Sequence, residues 1–186
     1  MPTHVALLRG VNVGGGGKIV MADLRALVTS LGYADVTTYI QTGNLVFTAT
    51  ESDGAALAAA LHAAIAEALG VRTPVVVLAR AALAQVVSDN PYPDEPNPRF
   101  LHGVFLPDAP APQALAAVRE ASRRAAEQGS RDEAVLLGRT LYLHTPDGFG
   151  RSVLASDLLL KRSSPVSAGT ARNWATVMKL LALCDG

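Results

Sequence analysis

Asp35-Val36-Thr37-Thr38-Tyr39-Ile40-Gln41-Thr42-Gly43-Asn44-Leu45-Val46-Phe47-Thr48 decides the fold of this chain. Val36 to Ile40 are β-branched or aromatic, which favours strand. Thr42-Gly43-Asn44 is turn chemistry, and Leu45 to Thr48 reads as strand again, so the stretch predicts a hairpin. Upstream, Leu24, Leu27, Val28 and Leu31 recur at helical spacing over Met21–Leu31, and Gly32 stops that helix. Before it, His4–Arg9 is a short apolar run read as a buried strand. Downstream, Ser52 or Asp53 offers a cap for a helix over Gly54–Leu69, with Leu57, Leu61, Ile65 and Leu69 on one face and Gly70 at its end. Thr73–Ala79 is a fourth strand. A hairpin set between two helices gives strand, helix, strand, strand, helix, strand. That order predicts an α+β, ferredoxin-like domain with an antiparallel sheet over residues 1–80.

Residues 81–186 begin the same pattern again. A helix over Ala81–Ser88 leads into Asn90-Pro91-Tyr92-Pro93-Asp94-Glu95-Pro96-Asn97-Pro98, where the prolines forbid regular structure and mark an interdomain segment. Phe100–Leu106 reads as strand, Gln113–Gln128 as helix, and Glu133–Leu137 with Thr140–Thr145 as a hairpin around Gly138-Arg139. Ser152–Leu160 is helical. No fourth strand stands out, since Pro165-Val166-Ser167 is a short edge strand or nothing. Thr170–Leu183 is expected as a final helix with Thr170 as its N-cap. The second ferredoxin-like domain is thus expected to be incomplete, with a helix appended.

Composition narrows the function classes. The 16 Lys and Arg balance 16 Asp and Glu, which disfavours broad capture of nucleic acid. Tyr39, Phe47, Phe100 and Phe105 read as core residues, not as an exposed stacking platform for RNA. Cys184 is the single cysteine, so no disulfide framework forms within the chain and a reducing, cytoplasmic setting is expected. The N-terminus lacks the pattern of a signal peptide. No apolar run is long enough to span a membrane.

The topology also locates a candidate site. In such a sheet the first strand lies between the third and fourth. Arg9, Asn12, Lys18, Gln41, Asn44 and Arg72 therefore gather on one rim. Arg, Lys, Asn and Gln together suit a phosphate, a carboxylate or an amide-bearing ligand, although for Gln41 and Asn44 turn stabilisation is the better reading. Gly14-Gly15-Gly16-Gly17-Lys18 is able to form an anion-binding nest. It is no Walker A loop, because Ile19 follows the lysine, and it fails the dinucleotide spacing.

The remaining candidates are weaker. Arg172, Asn173 and Trp174 are expected in the first turn of the last helix, where a cation opposes the dipole and calls for a nearby anion. Asn173 is suited to capping free N–H groups and Trp174 to the core. His102 and His144 fall on neighbouring strands but lack a thiolate or carboxylate in the local sequence, so no metal site is expected. Asp94-Glu95 and Asp132-Glu133 read as solvated acids. Arg119, Arg123 and Arg124 with Glu120 and Glu127 read as a solvated helix face. Cys184 sits near a helix C-terminus, which raises its pKa and disfavours it as a nucleophile.

Three segments together carry a resemblance. They are Leu7-Leu8-Arg9-Gly10-Val11-Asn12-Val13-Gly14-Gly15 with Lys18, Met21, Leu24 and Arg25; Tyr39-Ile40-Gln41-Thr42-Gly43-Asn44-Leu45-Val46-Phe47; and Thr170-Ala171-Arg172-Asn173-Trp174 with Thr176-Val177. They resemble the bacterial "domain of unknown function 1697" family. The resemblance implies two ferredoxin-like domains and no established activity, substrate or cofactor. Thr42 stands where the family usually has Ser, Ala175 where Asn is common, and Val153 where Lys is common.

The expectation is then a binding site for a small anionic or phosphorylated ligand. In it, Arg172, Asn173 and Trp174 face the rim of Arg9, Asn12, Lys18, Gln41 and Asn44 across a cleft between domains. The alternatives are an enzyme using the same cluster electrostatically, and a structural or homodimer role. No reaction and no cofactor is legible.

Overall fold

The computed structural model describes residues 1–14 and 17–186. The chain divides into two compact units, Met1–Val87 with Met178–Gly186, and Ser88–Val177. The class is α+β, with two four-stranded antiparallel sheets and six α-helices among the described residues.

The first unit runs β1 (His4–Leu8), α1 (Met21–Ser30), β2 (Ala34–Tyr39), β3 (Asn44–Thr48), α2 (Gly54–Leu69), β4 (Val75–Ala79) and α3 (Arg80–Ser88). Its sheet order is β2-β3-β1-β4, so β1 lies between β3 and β4 and runs antiparallel to both. Alternation sends Ala6 and Leu8 of β1 to one face, where they meet Leu45, Phe47, Val75 and Val77. Leu24 and Val28 of α1 and Leu57, Leu61 and Ile65 of α2 close the same core. Full burial of such a side chain stabilises by about 1.5–3 kcal/mol.

The ends of α2 are set by its sequence. Asp53 accepts a hydrogen bond from the Ala55 N–H at 2.8 Å, and Gly70 adopts φ 68° at the C-cap. Gly43 is required by space as well as conformation. It has φ 76°, and a Cβ there would lie 2.6 Å from Leu8 Cβ.

The second unit runs β5 (Leu101–Phe105), α4 (Ala114–Glu127), β6 (Glu133–Leu137), β7 (Thr140–His144), a 3-10 turn at Phe149–Arg151, α5 (Val153–Leu159) and β8 (Thr170–Asn173). The helix α6 (Trp174–Asp185) follows β8 directly. The sheet order is β6-β7-β5-β8. Val104, Leu141 and Leu143 pack with Val118, Ala121 and Ala125 of α4 and with Leu154 and Leu158 of α5.

The end of this unit corrects the sequence reading. Thr170–Asn173 is a strand, not the first turn of a helix, and it completes the sheet: Thr170 pairs with Phe105 and Asn173 with His102. Burial alternates along it, with Thr170 and Arg172 inside. A four-residue strand with arginine at a buried position leaves no hydrophobic period to read. Thr170 therefore does not cap the final helix. Asn173 does, its Oδ1 accepting the Thr176 N–H at 2.9 Å. Pro165-Val166-Ser167 lies in a turn, where the Ser167 N–H donates to the Ser164 carbonyl at 3.2 Å. Among the described residues, no helix is long and apolar enough to cross a membrane.

Candidate functional site

The rim of the first sheet is built by three loops. Leu8 N–H donates to the Gly43 carbonyl at 2.8 Å and Arg9 N–H to the Pro74 carbonyl at 3.0 Å, so the end of β1 is tied to the starts of β3 and β4. Asn12 sits above this junction with φ 57°, a left-handed conformation that asparagine tolerates. Its amide nitrogen donates to the Ile19 and Gln41 carbonyls, each at 2.8 Å, and its oxygen accepts the Ile19 N–H at 3.0 Å. One side chain thus closes the β1–α1 loop on itself and ties it to the β2–β3 turn.

Beside Asn12 opens a cleft of about 720 Å³, lined by Val13, Gly14, Lys18, Ile19, Val20, Met21, Ala22, Arg25 and Gln41. Lys18, Arg25 and Gln41 are exposed. Val20, the N-cap of α1, has no side-chain acceptor to offer, and the first turn of that helix carries the acidic Asp23. Arg25 is anchored by a 2.6 Å hydrogen bond from Nη1 to Thr38 Oγ1. No carboxylate, imidazole, thiol or hydroxyl lines this cleft among the described residues.

The structure brings Asn12, Lys18 and Gln41 together on that cleft. Asn44 is fully buried under the β2–β3 turn, where its amide nitrogen donates to the Tyr39 carbonyl and to Thr42 Oγ1, both at 3.1 Å. It serves the turn. Arg9 is half-buried at the strand end and Arg72 is exposed; neither lines the cleft. The anion nest expected of the glycine run falls on Gly15 and Gly16, outside the described residues. Sequence reasoning did not assign Arg25 to the site. Its signal was available, because Met21 and Arg25 are four apart and share a helix face.

Arg172, Asn173 and Trp174 belong to the second unit. Arg172 lies on β8 opposite Gly103 of β5, so the supposed conflict with a helix dipole does not arise. It is 9% exposed, and burial pushes its guanidinium down to about 10. Its Nη1 donates to the Ala171 carbonyl at 2.8 Å. Trp174 is buried against Tyr142, with ring centroids 6.0 Å apart.

Other sequence candidates resolve into structural roles. Glu95 is not a solvated acid. Its Oε1 accepts the Asn97 N–H at 2.8 Å and its Oε2 lies 2.6 Å from His144 Nε2, which hold the carboxyl below its ordinary range. Tyr92 stacks on the same imidazole at 5.0 Å, so the proline-rich loop is pinned to β7. Asp132 is also buried. His102 stacks on Phe149 at 4.1 Å, and burial pushes its imidazole down to about 4. Burial, with Asp185 nearby, raises the Cys184 thiol. No group of three or more potential metal-ligating side chains occurs among the described residues.

No curated protein matches the chain. Among solved structures, "The structure of conserved bacterial protein SP0830 from Streptococcus pneumoniae" is similar over 98% of both chains, with 23% identity and a TM-score of 0.71. At that identity the likeness speaks to the fold alone. The family described as "Protein of unknown function (DUF1697)" matches residues 1–142, and the chain belongs to that family.

Proposed function

We propose that each unit is a ferredoxin-like domain and that the first binds a small anionic or phosphorylated ligand in the cleft at the start of α1. The supporting observation is the pairing of an uncapped helix start with two cations on the walls of one cleft. Lys18 and Arg25 approach from the loop and from the second turn of α1. The positive end of a helix without a side-chain cap favours an anion between them. Gln41 adds an amide donor, and Val13, Val20 and Met21 add apolar walls for the rest of the ligand. The absence of a base or nucleophile from the described lining favours binding over catalysis.

Arg9 and Asn44, expected at the same site, take the roles of strand end and turn in this reading. Arg172, Asn173 and Trp174 take no part in it. The single cysteine suits a cytoplasmic setting.

Thermal unfolding in the presence of inorganic phosphate, pyrophosphate or AMP tests the proposal. A saturable rise in midpoint is expected for the wild type with at least one of them, because a ligand held only by the native state stabilises it. Lys18→Ala with Arg25→Ala should abolish the rise while leaving the unliganded midpoint nearly unchanged. No rise with any of the three would overturn the reading.

A further inference from the structure

A second cavity lies in the second unit, away from its sheet's own rim. It holds about 250 Å³ between the α4–β6 and β7–α5 loops, and Ser130, Asp132, Asp147, Gly148, Arg151 and Ser152 line it. Four charges meet here: Asp132, Asp147, Arg131 and Arg151. Only one ion pair forms among them, between Arg131 and Asp147.

Asp132 is the unusual member. It is 8% exposed. Its backbone N–H donates to Ser130 Oγ at 3.2 Å, but its carboxylate accepts no hydrogen bond from any described residue. The carboxylate oxygens keep some exposure, and Arg131 acts on them by charge alone, so their accepting capacity stays unused among the described residues. Asp132 is among the residues that line the cavity. Arg151 lines the same space, is exposed, and forms no ion pair among the described residues. Its charge is felt by Asp147, which Arg131 already holds.

One carboxylate and one guanidinium thus line the same small cavity. Two hydroxyls complete it. Ser152 Oγ accepts the Ala155 N–H at 2.8 Å and Ser130 Oγ accepts the Asp132 N–H, so each O–H remains to donate.

We propose that this cavity binds a small zwitterion of the α-amino-acid type, its ammonium on the Asp132 carboxylate and its carboxylate on Arg151 and a serine O–H. An ammonium presents hydrogen-bond donors to the Asp132 carboxylate, which has none among the described residues. A carboxylate accepts from a guanidinium fork in the geometry arginine is built for. A lone inorganic anion would leave Asp132 unsatisfied, and a lone cation would leave Arg151 so. The site is independent of the cleft in the first unit, and either stands if the other falls.

Titration calorimetry with L-valine, isobutylamine and isovalerate tests this, because the last two carry one charged group each. Saturable binding of L-valine is expected, at least tenfold tighter than either fragment. Arg151→Gln should lose valine and isovalerate but keep isobutylamine. Asp132→Asn should lose valine and isobutylamine. Should Asp132→Asn fail to fold, the exposed Arg151→Gln carries the test alone, read also by amide shifts of Gly129 and Gly148 in the NMR spectrum. No saturable binding of L-valine to the wild type overturns the proposal. So does a valine affinity unchanged in Arg151→Gln, or in a folded Asp132→Asn.

Discussion

The two units share one order of elements and one strand order, yet the charged groups that line their cavities lie at opposite ends of their sheets. In the first unit the rim at the end of β1 carries Lys18, Arg25 and an uncapped helix. The other end is internally satisfied. Asp53 caps α2, and Asp35 accepts from Thr48 at 2.7 Å and pairs with the N-terminal ammonium at 3.3 Å. In the second unit the corresponding rim holds its arginine in backbone hydrogen bonds. Arg139, in the β6–β7 turn, donates to the Leu106 carbonyl at 3.0 Å and also to that of Pro107. The open groups, Asp132 and Arg151, stand at the far end. The difference comes down to which side chain ties the loop after the first strand. A neutral amide does it in the first unit, at Asn12, and leaves the rim's cations to the cleft. A guanidinium does it in the second and is used up there. Identical topology therefore leaves different charged groups open in the two units.

The largest expected effect tests the two ties against each other. Asn12→Ala removes three hydrogen bonds and places alanine at φ 57°. At about 1 kcal/mol for each bond and about 1 for the left-handed backbone, the loss should reach about 3–4 kcal/mol in urea unfolding. Arg139→Ala removes bonds from an exposed side chain and should lose about 1 kcal/mol. Asn12→Gly should recover the backbone part alone. Equal losses for Asn12→Ala and Arg139→Ala would break the comparison.

A somewhat smaller effect tests the second unit by pH. In the second unit His102 Nδ1 is buried without a hydrogen-bond partner among the described residues, and burial pushes the imidazole down to about 4 from an ordinary 6.5. Above pH 6.5 the imidazole is neutral folded and unfolded, and its titration costs nothing. As pH falls from 6.5 toward 4, only the unfolded chain takes up the proton, so stability is lost. At pH 4.5 the loss amounts to about 2–3 kcal/mol. His102→Leu should remove that part of the acid sensitivity, read as the difference between wild type and variant at pH 7 and pH 4.5. An unchanged difference would mean that acid enters by another route.

Much of the first unit was legible because its signals are local. Helix α2 announces itself by Leu57, Leu61 and Ile65, and its ends by Asp53 and Gly70. The hairpin announces itself by Thr42-Gly43-Asn44, and the strand order follows from the order of elements. The second unit was less legible where tertiary pairing outweighs local pattern. Strand β8 is four residues long and buries Arg172, and only its pairing with β5 makes it a strand. Glu95 looked solvated because its partner His144 lies far along the chain, and Asp132 because nothing local marks its burial. The rim was legible as a set of loops, not as a set of side chains. Asn12 and Asn44 turn inward to carbonyls, while Arg25 enters from a helix face. Sequence orders the backbone at that edge. Which side chain bonds to the backbone and which reaches solvent is settled by contacts between loops about 30 residues apart, as Asn12 and Gln41 show.

The smallest effects compare how one helix of each unit is held at its surface. Helix α2 relies on caps: Asp53 accepts a first-turn N–H that no other residue satisfies. Helix α4 has no side-chain cap and instead carries Arg123 between Glu120 and Glu127, with the Glu120 pair at 2.7 Å. Capping replaces a missing acceptor, so Asp53→Ala should lose about 1 kcal/mol. The ion pairs of α4 are fully exposed, and water and salt screen them. Arg123→Ala should therefore leave the urea midpoint within error of the wild type, both at low salt and in 0.5 M sodium chloride. If Arg123→Ala instead proved as costly as Asp53→Ala at low salt, and the cost vanished in high salt, the three charges would act as a network. The second unit would then be held at its surface by charge, where the first is held by its caps.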